Sequence, residues 1–500
     1  MDYFIGVDIG TSSARAVAFS GDGKVLAQHA IGYSISHPEE DWSEQDPYEI
    51  SEAVINCINE IGERLINDNP VLISFSAAMH SFLAVGADEQ LLTNCIIWAD
   101  NRAVEIAENL RSTEMGKSFY HKTGVPVHAM SPLCKLQWLK ENRFDIFSLT
   151  YKFIGIKEFI FHTLFKKYIV DTAIASATGF LNIHTRCWDD SILNYTGINK
   201  NHLAQLVSAQ HIEFLNPKHA ITKRLALFVK TAFVAGGSDG GLANLGNGAM
   251  EEGSMAITIG TSGAARMVTT DIFTDVQMRT FCYHLKDEMY IIGGASSNGA
   301  IVLQWLKENI LQTDDSLEMF FKLAAGVPPC CNQLIFLPYI LGERAPLWNS
   351  SARGIFFGLS ITHSKAHLVR AAMEAVIYNL YGIGKVLMER RNVNIIFANG
   401  GFTNNPLWIQ MLADIFNVTV LVNDIEESSA WGAVMVGMEA IGMEIPVSGS
   451  MTIEKKYEPN PENHQLYMQC FEKFERVYNL VKTEFVRPEE LVGEKQLIER

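Results

Sequence analysis

An α/β fold built twice over is what this chain predicts, on three observations. The segment Phe4-Ile5-Gly6-Val7-Asp8-Ile9-Gly10-Thr11-Ser12-Ser13 returns in altered form as Ile257-Thr258-Ile259-Gly260-Thr261-Ser262-Gly263. In each copy an apolar strand runs into a Gly-Thr-Ser turn, where glycine lets the main chain approach an anion and hydroxyls with exposed N–H groups can hold it. Length is the second observation: 500 residues exceed what one core serves, and an apolar fraction of 48% can fill large cores, so two domains are expected. The third is an order of strands and helices that repeats between the halves.

Element by element, Phe4 to Asp8, Ala14 to Phe19 and Val25 to Ala30 read as strands of an antiparallel meander, the last two joined at Gly21-Asp22-Gly23. Pro47 to about Asn67 carries Ile50, Val54, Ile58 and Ile61 on one helical face, and the apolar run Val71 to Phe75 follows as a strand. Strand, strand, strand, helix, strand is the ribonuclease H-like order. A strand at Ala232 to Ala235 and a helix from near Gly240 close the first half. The second half repeats the logic with strands at Met255 to Ile259, Ala264 to Val268 and Tyr290 to Gly293 and a helix from Asn298 to Leu311. A Pro- and Gly-rich segment ends at Arg353, and a helix spans Ser364 to Glu389. Then come a strand at Asn394 to Ala398, a helix from Asn405 to Ile415, a strand at Thr419 to Val422 and a helix from near Ser428. The expected fold is two ribonuclease H-like domains, 1–248 and 249–500, with a cleft between them. The charged stretch Glu489 to Arg500 is expected to fray.

Composition excludes several classes. A net charge of −16 opposes nucleic acid or anionic membrane as partner, so any bound phosphate must be handled locally. The eight cysteines form no CxxC pair and no zinc spacing, and the adjacent Cys330 and Cys331 cannot readily bridge each other, so reduced thiols and a cytoplasmic location are expected. The N-terminus lacks a basic region before an apolar run, and no stretch offers about 20 uncharged apolar residues.

Asp8, at the end of an apolar strand and followed by glycine and three hydroxyl residues, suits Mg2+ held through water; its bland reading is a turn-capping aspartate. Thr258 replaces it in the second copy, so a metal-holding carboxylate belongs to one side only, which suggests a nucleotide clamped between two related domains. Arg15 is either a phosphate contact or an exposed strand arginine. Gly400-Gly401-Phe402-Thr403-Asn404-Asn405 lies between a strand and a helix, where main chain can pass close to a nucleotide and a helix N-terminus can face it. Asp239, within Gly236-Gly237-Ser238-Asp239-Gly240-Gly241 beyond a strand, can accept a proton from a substrate hydroxyl; the alternative is a helix N-cap. Ala78-Met79-His80-Ser81 and Trp98-Ala99-Asp100-Asn101-Arg102 mix polar groups with a thioether or an aromatic ring, as polyol sites do. Asp100 with Arg102 reads equally as a surface ion pair worth under about 1 kcal/mol. His363 and His367 have no acidic third ligand and read as ordinary helix residues.

With these residues, the chain resembles the FGGY carbohydrate kinases of the actin-like ATPase superfamily over essentially its whole length. Met130-Ser131-Pro132-Leu133-Cys134-Lys135-Leu136-Gln137-Trp138-Leu139 is similar to the family's first signature, and Gly354 to Leu359 through His367 to Glu374 to its second. The resemblance implies Asp239 as general base, Thr11, Ser12 and Ser13 with Arg15 at the first phosphate turn, and Gly260 and Thr261 at the second. It also implies Gly400, Gly401 and Asn405 on the adenosine side, and Gly299 and Gln304 as nucleotide contacts, although the spacing of that pair is one residue longer than in glycerol kinases. ATP and Mg2+ are the implied cofactors, and a homodimer is a family-level expectation. Within the family the combination of Phe75 to Ser81, Trp98 to Arg102 and Gly155-Ile156-Lys157-Glu158 is most similar to gluconate kinases. Met79, His80, Asp100, Arg102, Lys157 and Arg344 are then the substrate candidates, with His80, Arg102, Lys157 and Arg344 able to hold a carboxylate.

The reaction so implied is ATP plus D-gluconate to ADP plus 6-phosphogluconate, with in-line attack of the terminal hydroxyl on the γ-phosphate. A xylulose kinase or other pentulose or polyol kinase is the alternative within the family, since xylulose kinases carry Gln-Met-His-Gly where this chain has Ala78-Met79-His80-Ser81. A non-catalytic actin-like sensor, or a filament or chaperone ATPase, is the alternative of another class. Retention of Asp239 opposes the sensor, and the two sugar-kinase signatures oppose the others.

Overall fold

A computed structural model describes residues 1–423, 427–445 and 453–485, so the stretch from Glu489 to Arg500 lies outside the described residues. The chain divides into two compact units: Met1–Met250 with Val268–Ile292 and Ile425–Thr452, and Glu251–Met267 with Gly293–Asp424 and Ile453–Arg500. A division read in chain order puts a single break at 248/249. The structure adds two returns to the first unit, which short-range pattern does not encode.

In the first unit, β1 (Asp2–Ile9), β2 (Ser13–Phe19) and β3 (Val25–Gly32) form the antiparallel meander, the helix α1 (Pro47–Arg64) follows, and β4 (Asn69–Ala77) lies parallel to β1. The strand β5 (Ala232–Ser238) joins parallel to β4 and leads directly into the helix α2 (Asp239–Gly246). With the edge strand Ile212–Glu213 the sheet order is edge, β5, β4, β1, β2, β3. Alternation along β1 and β2 separates two cores. Ile5, Val7, Ile9, Ala14, Ala16 and Ala18 pack with Ile50, Val54, Ile58 and Ile61 of α1, while Phe4, Val17 and Phe19 face Ala430, Trp431 and Val434 of the helix Ser428–Ala440. Each buried Val, Ile or Phe among them contributes roughly 1.5–3 kcal/mol. Asp46 caps α1 by accepting from the Tyr48 N–H at 2.8 Å, and Pro47 occupies its first position, where a missing N–H costs nothing.

Close approach of main chains requires glycine at Gly6, where a Cβ would stand 2.2 Å from the Ala430 carbonyl oxygen. The same holds at Gly236, with φ +69° and the Phe75 oxygen 1.9 Å from any Cβ. That residue sits in the irregular step of the β5–β4 ladder, which re-aims the chain just before Asp239.

The second unit repeats the arrangement. The strand β6 (Ser254–Ile259) pairs antiparallel with β7 (Gly263–Thr269) and parallel with β8 (Ile395–Asn399). After the helix α3 (Pro406–Phe416), β9 (Thr419–Asn423) adds parallel to β8, and β10 (Ile453–Tyr457) closes the edge antiparallel. Both meanders therefore place a parallel strand beside their first strand, which makes the duplication structural. The expected helix Asn298 to Leu311 begins later, as Ile301–Trp305, and widens into a π-turn over Leu306–Ile310. Its expected first turn is instead tied by main-chain N–H groups to the carbonyls of Thr261 and Gly260, while the Glu343 carboxylate accepts from the preceding Ser297 N–H at 2.7 Å and from Asn298 Nδ2 at 2.9 Å.

One expectation on the thiols is corrected. Cys330 is disulfide-bonded to Cys470, 140 residues away, with Cα atoms 6.0 Å apart. Positive φ at Cys330, Cys331 and Asn332 turns the chain there, and Cys470 comes from the distant helix Pro461–Val481. Among the described residues no helix is long and apolar enough to cross a membrane.

Candidate active site

Parallel strands put their carboxyl ends at one edge of a sheet, where ligands of open α/β folds bind. In the first unit the register is explicit: Asp8 of β1 pairs with Ser76 of β4, and Ser76 with Gly237 of β5. Three strand ends thus bring Asp8, the loop Ala78 to Ser81 and Asp239 to one edge. Ser76 Oγ donates to Asp8 Oδ1 at 2.8 Å. Burial lifts the Asp8 carboxyl above its ordinary value, against the hydroxyls of Ser76 and Ser429 and the charge of Arg15. Asp239 is the first residue of α2 and not its N-cap, which is Ser238. Its Oδ1 accepts from the Gly240 N–H at 2.6 Å.

The turn between β1 and β2 closes with the Gly10 N–H donating to the Ser13 oxygen at 3.0 Å. Thr11 is tied to both neighbouring loops, accepting from Trp98 Nε1 on its hydroxyl at 2.8 Å and from Gln45 Nε2 on its carbonyl at 2.7 Å. Ser12 is exposed and Ser13 half-buried. Arg15 ion-pairs with Glu427 while 40% of its side chain stays exposed.

The cationic candidates differ sharply in how they are engaged. Arg102, expected as a possible surface ion pair with Asp100, is buried with it. Its guanidinium donates to Asp100 at 2.8 Å and Glu44 at 2.6 Å and lies 3.8 Å from the Trp42 ring centroid. Asp100 and Glu44 thus engage the Arg102 guanidinium from two sides. Lys157 is likewise matched, 2.6 Å from Asp171 Oδ2 and 3.3 Å from the Gly237 oxygen, with 3% of its surface exposed. His80 adopts φ +68°, and its Nδ1, facing the Ala177 carbonyl at 2.9 Å, must carry the proton. Nε2 then faces the Tyr283 hydroxyl at 3.5 Å. Met79 packs at the margin of two apolar clusters. Beside this loop lies a cavity of about 30 Å³ lined by His80, Ser81, Gly155 and Glu158, large enough for about two waters. Burial pushes the Glu158 carboxyl up to about 7.

In the second unit β6 and β8 are parallel neighbours, with Thr258 paired to Asn399, so the glycine turns that follow both strands meet. A Cβ on Gly400 would stand 2.4 Å from the Ile259 oxygen, and one on Gly299 would stand 2.4 Å from the Ser262 oxygen and 2.6 Å from the Gly260 oxygen. The Gly299 N–H donates to the Thr261 oxygen at 3.1 Å and the Ala300 N–H to the Gly260 oxygen at 2.7 Å. Three segments read separately from sequence therefore converge. Beside Gly260 and Gly401 a Cβ would meet nothing within 4 Å, which leaves room for a ligand against bare main chain. Asn405 caps α3, accepting from the Trp408 N–H at 2.9 Å. Gln304 is exposed and donates to Glu308 at 3.1 Å. Arg344 belongs to this unit, donating to the Ser296 carbonyl at 2.9 Å and towards Ser297 Oγ at 3.3 Å.

Sequence reasoning missed Glu44, Asp171, Glu343 and Glu427, the partners of these groups. Only Glu44 had a nearby signal, the polar run Asp41-Trp42-Ser43-Glu44-Gln45-Asp46 after the meander. As for a metal, among the described residues no group of three or more His, Cys, Asp or Glu is placed so that it could hold an ion. Mg2+ in phosphoryl-transfer sites takes one or two carboxylates with waters and phosphate oxygens, so the single carboxylate Asp8 beside serine hydroxyls fits it.

Known families match the chain in two consecutive segments. The model of the FGGY family of carbohydrate kinases, N-terminal domain, matches residues 3–246, and that of the C-terminal domain matches residues 255–441. The chain is 42% identical over 452 residues to the gluconokinase of Bacillus subtilis (strain 168), covering 88% of each chain. Among solved structures it is similar to a ligand-bound xylulose kinase from Lactobacillus acidophilus, at a TM-score of 0.93 and 33% identity over 97% of this chain and 99% of that one. A gluconate kinase from Lactobacillus acidophilus gives 0.92 and 33% over 96% and 98%.

Proposed function

Because this chain belongs to the FGGY family of carbohydrate kinases, we propose that it transfers the γ-phosphoryl group of ATP to the terminal hydroxyl of D-gluconate. One observation carries the choice of substrate: 42% identity to a gluconokinase over 88% of both chains. The chemistry is supported by Asp239, which follows β5 at the edge shared with Asp8 and the His80 loop. In this reading an Asp239 carboxylate oxygen accepts the hydroxyl proton as the substrate oxygen bonds to the γ-phosphorus, and the bond to the β-phosphate oxygen breaks with its electron pair leaving on ADP. In this reading the nucleotide lies against the bare main chain at Gly260 and Gly401, and Gly299 and Gly400 let the segments that carry those turns approach closely. Asp8 would hold Mg2+ through water, and the ion would supply neutralisation of phosphate charge. Of the four basic candidates for the gluconate carboxylate, Arg102 and Lys157 are ion-paired with carboxylates, and substituting His80, Arg102, Lys157 and Arg344 one at a time tests which of them serves it.

A xylulose kinase is the second reading, favoured by Met79-His80 and by the likeness to a xylulose kinase structure. An ADP-release assay across gluconate, xylulose, ribulose and glycerol decides between them. Turnover of gluconate with the highest kcat/KM is expected; none with gluconate, against turnover of xylulose, overturns the choice.

A further inference from the structure

Lys135 is the least expected side chain of the first unit: a lysine with no measurable exposure, in the helix Pro132–Asn142 between Leu133, Cys134 and Leu136. A buried ammonium is tolerated only where its three protons are met. Here all three acceptors are main-chain carbonyls: His80 at 2.6 Å, Ile97 at 2.8 Å and Ile96 at 3.3 Å. Two come from the segment Ile96-Ile97 that leads into Trp98 to Arg102, and the third from the loop that carries Met79 and His80. One cation therefore ties together the two loops on the substrate side.

The His80 carbonyl is a place where a tie matters. Its φ of +68° lies in the left-handed region, which costs a non-glycine residue on the order of 1 kcal/mol or more and persists only where the surroundings hold it. Lys135 holds the carbonyl and Ala177 holds the ring. The second loop is held from its other side by Asp100, which accepts from the Ser43 N–H at 2.7 Å and from Arg102. Burial pushes the Lys135 ammonium down to about 7, opposed by the charge of Asp100 and reinforced by that of Arg102.

We propose that Lys135 is a positioning residue for the sugar, fixing the His80 turn and the Ile96 to Arg102 loop relative to each other through their carbonyls. The proposal rests on the assignment of those loops to the substrate in the preceding reading. It requires no contact between Lys135 and the substrate.

The test is steady-state kinetics of Lys135→Met with both substrates varied, alongside the unfolding temperature. The expected result is a KM for gluconate raised at least about tenfold, with the KM for ATP changed less than about twofold and kcat within about threefold of wild type. Lys135→Gln, with an amide donor of shorter reach, should fall between. Since the effect runs through the left-handed residue, Lys135→Met should raise the KM for gluconate much less in a His80→Gly background, where glycine adopts that conformation freely. Equal damage to kcat and both KM values, an unchanged KM for gluconate, strict additivity in the double variant, or failure of both Lys135 variants to fold would each overturn the proposal. If the wild type phosphorylates another sugar and not gluconate, the choice of substrate fails, and the Lys135 comparison is read on that sugar.

Discussion

Lys157→Met removes one half of a buried ion pair and separates two roles for that lysine. Its ammonium lies 2.6 Å from Asp171, and the two side chains are 4% and 0% exposed. Breaking such a pair from one side leaves an uncompensated buried charge and costs roughly 3–5 kcal/mol. At about 2–4 °C per kcal/mol the unfolding transition that includes the first unit should fall by about 6–20 °C. A two-unit chain need not unfold in one step, so the same calorimetric transition must be followed in every variant. Asp171 also caps the helix Thr172–Ser176 through the Ile174 N–H at 2.9 Å, and asparagine caps as well as aspartate. Lys157→Met/Asp171→Asn removes both charges and keeps the cap, so most of the lost stability should return. If Lys157 serves structure alone, this double variant keeps a gluconate KM within about threefold of wild type. A lysine that held the substrate carboxylate would instead cost about 1.5–3 kcal/mol, or about 10- to 150-fold in KM. A double variant with wild-type unfolding temperature and a KM raised tenfold or more would refute the reasoning from the ion pair.

Asp239→Asn should lower kcat by at least about a hundredfold while ADP binding, read by calorimetry, stays near wild type; equal activity would sink its role as base. Gly299→Ala drives a Cβ into the carbonyl oxygens of Ser262 and Gly260, so it should raise the KM for ATP about tenfold or more and leave that for gluconate within about twofold. Glu158 has a carboxyl raised to about 7 by burial, above its unfolded value near 4.3, so its contribution to stability is full below about pH 4.3 and is lost as pH rises through 7. Glu158→Gln removes that loss: relative to wild type the variant should gain on the order of 3 kcal/mol between pH 4 and pH 8, read as the difference in unfolding temperature across that range. An unchanged difference would show that Glu158 stays ionised in the fold.

Much of the architecture was legible because it is written in local pattern. Apolar runs at Phe4 to Asp8 and Met255 to Ile259, each followed by a glycine turn, led to both meanders, and the face Ile50, Val54, Ile58 and Ile61 led to α1. The helix after Asn298 was read too early because its expected first turn is tied to the carbonyls of Gly260 and Thr261 and to Glu343, all distant in the chain, and is not shaped by its own periodicity. Reduced thiols were expected from spacing alone, and the pairing of Cys330 with Cys470 across 140 residues is invisible to spacing.

The sequence by itself determined the doubled α/β plan, the carboxylate on one turn only, the kinase family and the strand ends where Asp8, His80 and Asp239 stand. These depend on residue type and short spacing, which survive without coordinates. Tertiary structure alone decided which charges are already matched. Arg15 meets Glu427 from 412 residues away, Arg102 meets Glu44 from 58, and Lys135 finds three carbonyls on two other segments. A charge's function depends on its partner, and partners are chosen by the packing of distant segments.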